Sequence, residues 1–159
     1  MLDEALRALA ASPPAQALKA SRLAYPLVNA LHILGLSTLF GAILALNTRL
    51  LGLGGSIEIA PLAAFLPKVA AFGLGVAAVT GLALFSVQPV DYAGNAAFLV
   101  KIGLVSAATL HAIAVHRTAG WKSVRGPLGI VTPQLRASAA LSTGLWISAI
   151  VAGRFIGFE

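Results

Sequence analysis

Residues 27–51 read LVNALHILGLSTLFGAILALNTRLL, and this apolar stretch decides the class of the fold. It is about 25 residues long, and its only charged side chain, Arg49, lies near its end. A helix rises about 1.5 Å per residue, so a stretch of this length crosses the hydrocarbon core of a bilayer as one helix. The stretch therefore predicts a membrane-spanning helix from about residue 26 to residue 48.

The composition extends this prediction to the whole chain. Of its 159 residues, 58% are hydrophobic and 10% are charged, whereas soluble domains carry roughly 25% charged residues. Three further apolar stretches follow the first, at about residues 62–87, 97–116 and 133–158. The sequence predicts an all-α integral membrane protein, in which residues 23–159 form one domain, a bundle of four transmembrane helices.

The first 22 residues predict a separate N-terminal segment. Leu2, Leu6 and Leu9 share one helical face, and the acidic residues lie away from it. A signal peptide needs a basic start and a continuous apolar centre, which the early acidic residues and the proline pair at Pro13 contradict. We therefore expect residues 1–22 to be retained as a short amphipathic segment that lies in the membrane interface.

The charged residues indicate which partners the chain has. The net charge is +6, but no basic cluster is interleaved with aromatic residues. The Lys and Arg residues lie mostly near the ends of the predicted spans, where they meet lipid headgroups. We therefore expect the lipid bilayer, and not nucleic acid, to be the partner of this positive charge.

Several kinds of chemistry are excluded or disfavoured. The chain has no cysteine, which excludes disulfides, thiolate metal sites, iron–sulfur clusters and covalently attached c-type haem. No carboxylate falls inside a predicted span, which argues against a proton-coupled pump and a carboxylate metal site. No catalytic set of serine, histidine and aspartate fits the predicted helices. The sequence thus favours a non-enzymatic role and predicts no catalytic residue.

Four spans predict that both termini lie on the same side of the membrane. The loop between the third and fourth spans, with its flanks, is the most basic, and the turn around Asp91 is the least basic. Because basic loops tend to stay in the cytoplasm, this difference favours termini outside the cytoplasm.

Three histidines in the predicted spans, His32, His111 and His116, are candidate haem ligands, because imidazole binds iron and buried ionisable groups are costly in a membrane. A b-type haem is held by two such ligands on different helices. The helical rise puts His32 about 10 Å, His111 about 20 Å and His116 about 28 Å from the termini side. His32 therefore matches His111 in depth when the helices tilt, and matches His116 poorly.

The two histidines of the third span differ in direction. His111 and His116 lie about 140° apart around their helix, so we expect them to face different pockets. Two alternatives to haem ligation stay open for each histidine. It can be a packing residue that is hydrogen-bonded to a polar neighbour or a carbonyl, or it can serve a proton or quinone.

Two basic residues near the termini side, Lys101 and Arg154, are the other candidates for a binding role. Lys101 is expected to reach the interface with its long side chain. Arg154 is close enough to the membrane edge to meet a lipid headgroup, a haem propionate or the carboxylate of Glu159.

Small residues in two spans predict close helix contacts. Gly73, Ala77 and Gly81 recur every fourth residue in the second span, which is the spacing of a close helix–helix contact in membranes. In the first span, Ser37 and Gly41 mark a second small face that can approach another helix.

Three stretches carry a resemblance to a known family: residues 29–52 (NALHILGLSTLFGAILALNTRLLG), residues 95–117 (NAAFLVKIGLVSAATLHAIAVHR), and the Ser-x-x-x-Trp and GRFIGF motifs of residues 142–158. Together they resemble an uncharacterised bacterial family of four-helix inner-membrane proteins. The resemblance covers the chain from about residue 12 onward and implies a multi-pass protein of the bacterial inner membrane. The family motifs fall on His32, Asn95, Phe98, Lys101, His116, Trp146 and Arg154, and His111 stands where the family has asparagine.

A more distant resemblance concerns the first span. The His-x-x-Gly of His32 and Gly35 resembles the haem-bearing first helix of cytochrome b-like and copper-resistance-D-like bundles. The Trp-x-Gly-Gly that the latter family shows after its histidine is absent here, where Leu39, Phe40 and Gly41 stand instead. This resemblance implies haem b, but not copper, as a cofactor.

Three functional hypotheses follow. The first is a non-enzymatic accessory or structural membrane protein that acts as a homo-oligomer or with a membrane partner subunit. The second is a b-type haem protein that transfers electrons, with His32 and either His111 or His116 as ligands and with Lys101 or Arg154 near the propionates. The third is a carrier of small solutes that works as an oligomer, because four spans without an internal repeat argue against a carrier formed by a single chain.

Overall fold

The computed structural model describes residues 1–158 and confirms the all-α prediction. Within this range the chain forms eight α-helices and a short 3₁₀-helix, and no strand. The helices are α1 (Leu2–Ala10), α2 (Pro13–Ala20), α3 (Ala24–Leu50), α4 (Ile59–Val87), α5 (Pro89–Gly94), α6 (Ala96–His116), α7 (Ala119–Arg125) and α8 (Pro133–Phe155), and the 3₁₀-helix covers Ile156–Phe158.

Four of these helices are long enough and apolar enough to cross a membrane. They are α3, α4, α6 and α8, the last taken together with the 3₁₀-helix. The bounds of these helices agree with the predicted spans to within a few residues. α4 begins at Ile59, three residues before the predicted start, because a proline such as Pro61 fits the first turn of a helix.

The two polar connections, predicted as a turn and a loop, each contain a short helix. The turn of residues 88–96 contains α5, and the loop of residues 118–132 contains α7. Local chemistry explains both helices. Pro89 occupies the first position of α5, and the side chain of Thr118 accepts a hydrogen bond from the Trp121 N–H at the start of α7.

The four long helices pack as two hairpins. α3 packs along α4, and α6 packs along α8. The two hairpins meet where the Phe85 ring of α4 stacks on the Phe98 ring of α6, with centroids 5.5 Å apart, and where α3 contacts α8. The Asn47 amide donates a hydrogen bond of 3.0 Å to the Thr143 hydroxyl across this junction. Away from the Phe85–Phe98 contact, the backbones of α4 and α6 lie apart, which leaves the bundle open between these two helices.

The predicted stripe of small residues on α4 is confirmed as the contact with α3. A Cβ atom on Gly73 would lie 2.6 Å from the backbone nitrogen of Leu39, and one on Gly35 would lie 2.8 Å from that of Ala77. The backbones of the two helices thus touch where the side chains are absent. On α3, Gly35 makes this contact. The face of Gly41, which the sequence suggested, has open space around it and contacts no other helix of the chain.

The N-terminal segment folds back against one end of the bundle. α1 contacts α4 and α5, and α2 contacts α3 and α4. The 3₁₀-helix lies at this same end, where the Asn95 amide donates to the Ile156 carbonyl. The described ends of the chain therefore lie together, and α7 lies at the opposite end of the bundle.

Candidate functional site

A cavity of about 530 Å³ lies between the two hairpins. Its walls come from all four long helices, and Trp121 of α7 closes one end. It occupies the half of the bundle nearer α7 and extends between α4 and α6, whose backbones lie apart there. Its volume falls within the range of small-molecule sites in proteins, roughly 300–1,000 Å³.

Most of the cavity wall is apolar. Leucine and alanine side chains on α3 and α4 form one side, among them Leu39, Ala42, Leu46, Ala70 and Leu74. Such a wall suits a hydrophobic molecule, with specificity left to a few polar groups.

Two of the polar groups lack a hydrogen-bond partner. Trp146 is 4% exposed, and its Nε1–H is enclosed by protein and has no acceptor within the described residues. The same holds for Nδ1 of His111 on α6. An enclosed polar atom without a partner costs about 1–3 kcal/mol. Both residues line the cavity, but these two nitrogens themselves are covered by protein and expose no surface to it.

The basic residues of the cavity are Lys68, His116 and Arg117. The Nδ1–H of His116 donates to the Ala112 carbonyl at 2.6 Å, and its ring centroid lies 4.2 Å from that of Trp121. Within residues 1–158, no carboxylate lines the cavity. The rim is therefore positively charged and favours a neutral or electronegative group in a ligand.

The expectation that His111 and His116 face different pockets was wrong, because both line this cavity. Two structural features explain the difference. The cavity extends over more than one turn of α6, and the His116 ring lies against Trp121 of α7 at an interplanar angle of 51°. The Cα positions of His111 and His116 are still about 140° apart around a regular helix, so it is the width of the cavity that lets both side chains line it.

His32 does not line this cavity. Its Nδ1–H donates to the Ala77 carbonyl at 2.9 Å and lies 3.1 Å from the Thr80 hydroxyl, so the ring is fixed against α4. Gly81 makes room for it, since a Cβ there would lie 3.0 Å from Cε1 of His32. The structure therefore does not bring His32 together with His111 or His116, and it gives His32 the packing role that the sequence had left open.

Lys101 and Arg154 lie toward the termini end of the bundle and do not line the cavity. The Lys101 side chain crosses α8 at Gly153, where a Cβ would lie 3.3 Å from its Cδ. The Arg154 guanidinium lies 4.6 Å from the centre of the Phe158 ring, a cation–π distance. Glu159, the alternative partner of Arg154, lies outside the described residues.

Sequence reasoning did not identify Lys68, Arg117 and Trp146 as residues of one site. Trp146 offered the clearest signal, because a buried indole N–H needs an acceptor and its neighbours along α8 are mostly apolar. No group of three or more His, Asp or Glu side chains with metal-binding geometry occurs within residues 1–158. Comparisons with protein-family models, with curated proteins and with solved structures found no match to the chain.

Proposed function

We propose that this chain is a multi-pass protein of the bacterial inner membrane with a non-enzymatic, accessory role, and that it binds a hydrophobic ligand between its two hairpins. One observation carries the proposal. The cavity, about 530 Å³ in volume, combines an apolar wall from all four long helices with a few polar side chains, among them Asn47, Ser138 and Ser142. An apolar wall with a few polar groups, at this volume, is the pattern that small-molecule sites share.

The surface around the cavity supports entry from the lipid phase. Phe65 and Phe72 on α4 are 63% and 70% exposed, and Leu110 on α6 is 66% exposed. These side chains suit contact with acyl chains, and they lie on α4 and α6, the two helices between which the cavity extends. A hydrophobic ligand can thus reach the cavity without crossing water.

The lining residues also support binding rather than catalysis. The serines that line the cavity, Ser138 and Ser142, have no carboxylate in the cavity lining to form a catalytic set with the histidines. The polar side chains of the lining can form hydrogen bonds and supply positive charge, and both kinds of interaction position a ligand.

The test is to fill the cavity with a bulky side chain and to measure whether the purified protein still retains a bound molecule. Ser142 lines the cavity on α8, whereas Ala140 on the same helix is exposed. The protein is purified in a mild detergent, and solvent extracts of wild type, Ser142→Trp and Ala140→Trp are compared by mass spectrometry. We expect a hydrophobic compound near one per chain in wild type and Ala140→Trp, and its loss in Ser142→Trp. Equal retention in all three proteins would contradict the proposal.

A second candidate function is the binding of b-type haem in the same cavity. The observation that favours it is that His111 and His116 both line the cavity, since imidazole nitrogens can ligate haem iron. Lys68 and Arg117, rather than Lys101 and Arg154, would then lie near the propionates. His111 and His116 share one helix, so they fit one axial ligand better than a pair on opposite faces of a haem.

A reduced-minus-oxidised visible spectrum with pyridine extraction decides this second candidate. A b-type absorption band that is lost in His111→Ala and retained in His32→Ala is the expected result if haem is bound at the cavity. A colourless protein, expressed with an ample haem supply, would exclude it. Loss of the band in His32→Ala alone would instead favour the ligand pair that includes α3.

A further inference from the structure

We propose that the ligand of this cavity is an anionic phospholipid from the membrane leaflet on the α7 side, with an acyl chain in the cavity and its phosphate at the level of Lys68 and Arg117. This inference rests on the proposed function and names the chemical class of its ligand. It concerns binding only.

The basic residues of the lining lie toward one end of the cavity. Arg117 directly follows the last residue of α6, at the α7 end of the bundle. Lys68 lies about 14 Å beyond the start of α4, which packs against α7. Because side chains lean toward the N-terminus of their helix, Lys68 leans toward the α7 end. Leu74, about 9 Å deeper along the same helix, belongs to the apolar wall.

The length of the cavity matches one leaflet of a bilayer. On α3 the lining extends from Leu39 to Leu50, about 16 Å of helix, and on α8 it extends over a similar length from Leu135 to Trp146. The hydrocarbon core of a bilayer is about 30 Å thick, so one leaflet contributes about 15 Å. An acyl chain from the leaflet beside the cavity would therefore fit along its length, with the headgroup at the α7 end.

Positive charge stands on both sides of the opening between α4 and α6. Lys68 belongs to α4 and Arg117 follows α6, and both residues are exposed. Neither forms an ion pair, because the one ion pair found among residues 1–158 joins the N-terminus to Glu4. Glu58, which precedes α4 at this end of the bundle, does not line the cavity. A phosphate at the opening would therefore meet positive charge that no carboxylate of the lining neutralises.

The lining also distinguishes this ligand from two related ones. A zwitterionic phospholipid has the same acyl chains, but its headgroup adds a positive charge, and no carboxylate of the described chain lines the cavity to meet it. A free phosphate ester has the negative charge without the chain, so it would leave the apolar wall empty. An anionic phospholipid satisfies both the cations at the opening and the apolar wall.

The test measures the binding of three probes to the purified full-length protein in micelles of a non-ionic detergent. The probes are dioleoylphosphatidylglycerol, which is anionic, dioleoylphosphatidylcholine, which carries the same chains on a zwitterionic headgroup, and glycerol phosphate, which has no acyl chain. Affinity is measured from the rise of the unfolding temperature with probe concentration.

Three variants accompany wild type. The double variant Lys68→Gln with Arg117→Gln removes both positive charges at the opening. Its matched control, Lys122→Gln with Arg125→Gln, removes two charges from exposed residues of α7 that do not line the cavity. Ser142→Trp fills the cavity itself.

We expect wild type to bind the anionic lipid about tenfold more tightly than the zwitterionic lipid, because two cations attract its phosphate. Lys68→Gln with Arg117→Gln should weaken the anionic lipid about tenfold and leave the zwitterionic lipid unchanged, which also shows that this variant is folded. The control variant of α7 should keep the preference of wild type. Ser142→Trp should lose both lipids, and glycerol phosphate should bind none of the proteins measurably.

Several outcomes would overturn the inference. Equal affinity of wild type for the two lipids, with both lost in Ser142→Trp, would leave a hydrophobic cavity that does not select charge. An equal loss of preference in the control variant of α7 would assign the preference to the overall charge of this end of the bundle. Glycerol phosphate that binds as tightly as the anionic lipid would identify a free phosphate compound as the ligand.

Two further outcomes separate the inference from the proposed function. Lipid binding that Ser142→Trp leaves intact would place the lipid outside the cavity and overturn the inference. Binding of neither lipid would overturn the inference alone if solvent extracts still contain a compound that Ser142→Trp loses. If those extracts contain no such compound, the proposed function is overturned as well.

Discussion

At the scale of single residues, the close contact between α3 and α4 depends on two glycines, which have no side chain. Gly35 and Gly73 face each other where α3 crosses α4, and a Cβ on either residue would lie less than 3.0 Å from backbone atoms of the other helix. Backbone atoms cannot move aside as a flexible side chain can. The contact therefore tolerates glycine only.

We predict that Gly73→Ala destabilises the protein by about 1–3 kcal/mol, the usual cost of overpacking. The matched control is Gly75→Ala on the same helix, where the added methyl group meets open space. That control should be neutral or slightly stabilising, because alanine favours helix by about 0.5–1 kcal/mol. Denaturant unfolding in micelles measures both variants. Equal stabilities for Gly73→Ala and wild type would show that the two helices can separate at little cost.

Tyr92 in α5 gives a prediction for alkaline pH. Burial raises the pKa of Tyr92, and the neighbouring hydroxyl of Tyr25 and the charge of Asp91 raise it further. The folded state therefore holds this proton more tightly than the unfolded state. The resulting stabilisation is present below the ordinary tyrosine pKa of about 10, and it is lost as the pH rises through the folded pKa.

The measurement is the unfolding temperature between neutral and strongly alkaline pH. We expect wild type to lose stability at alkaline pH, and Tyr92→Phe to lose less of it. Tyr25→Phe should lower the pKa of Tyr92 toward its ordinary value, as seen in the ultraviolet absorbance of tyrosinate. A Tyr92→Phe protein whose alkaline loss matched that of wild type would contradict the assignment.

At the scale of secondary-structure elements, single polar side chains determine where helices begin. The Asn95 Oδ1 accepts a hydrogen bond of 2.8 Å from the Phe98 N–H at the start of α6, and its Nδ2 donates to the Ile156 carbonyl of the 3₁₀-helix. Asn95 thus caps one helix and holds the end of α8 beside it. Asn95 and Phe98 also belong to the motif of the resemblance, and the structure gives them a structural role.

We predict that Asn95→Ala lowers stability by about 1–2 kcal/mol, because it removes the cap and the contact with the 3₁₀-helix together. Asn95→Asp keeps the capping acceptor and removes the donor, so its effect should be about half as large. The midpoint of thermal unfolding in micelles distinguishes the two. If both variants were as stable as wild type, neither hydrogen bond would contribute measurably.

At the scale of the whole molecule, the charge distribution predicts the orientation in the membrane. α1, α5 and the 3₁₀-helix lie at one end of the bundle. α7, which contains Lys122 and Arg125 and comes shortly after Arg117, lies at the other end. The positive-inside rule favours the α7 end in the cytoplasm and the termini outside.

The absence of native cysteine makes this orientation directly measurable. Single cysteines at two exposed positions, Ala11→Cys near the termini and Ser123→Cys in α7, are treated in intact cells with a membrane-impermeant maleimide. We expect Ala11→Cys to be labelled and Ser123→Cys to be labelled only after the cells are opened. The reverse pattern would show that the termini face the cytoplasm.

The sequence by itself determined the class of the fold, the four spans and the small-residue contact on α4. The physical reason is that each of these depends on local composition and spacing: helix length follows from the rise per residue, and glycines at every fourth position necessarily share a face. The sequence could not determine which helices meet, because that depends on packing between segments far apart in the chain. Only the tertiary structure separated α4 from α6 beside the cavity, fixed His32 against α4, and brought His111, Trp146 and Lys68 to one cavity.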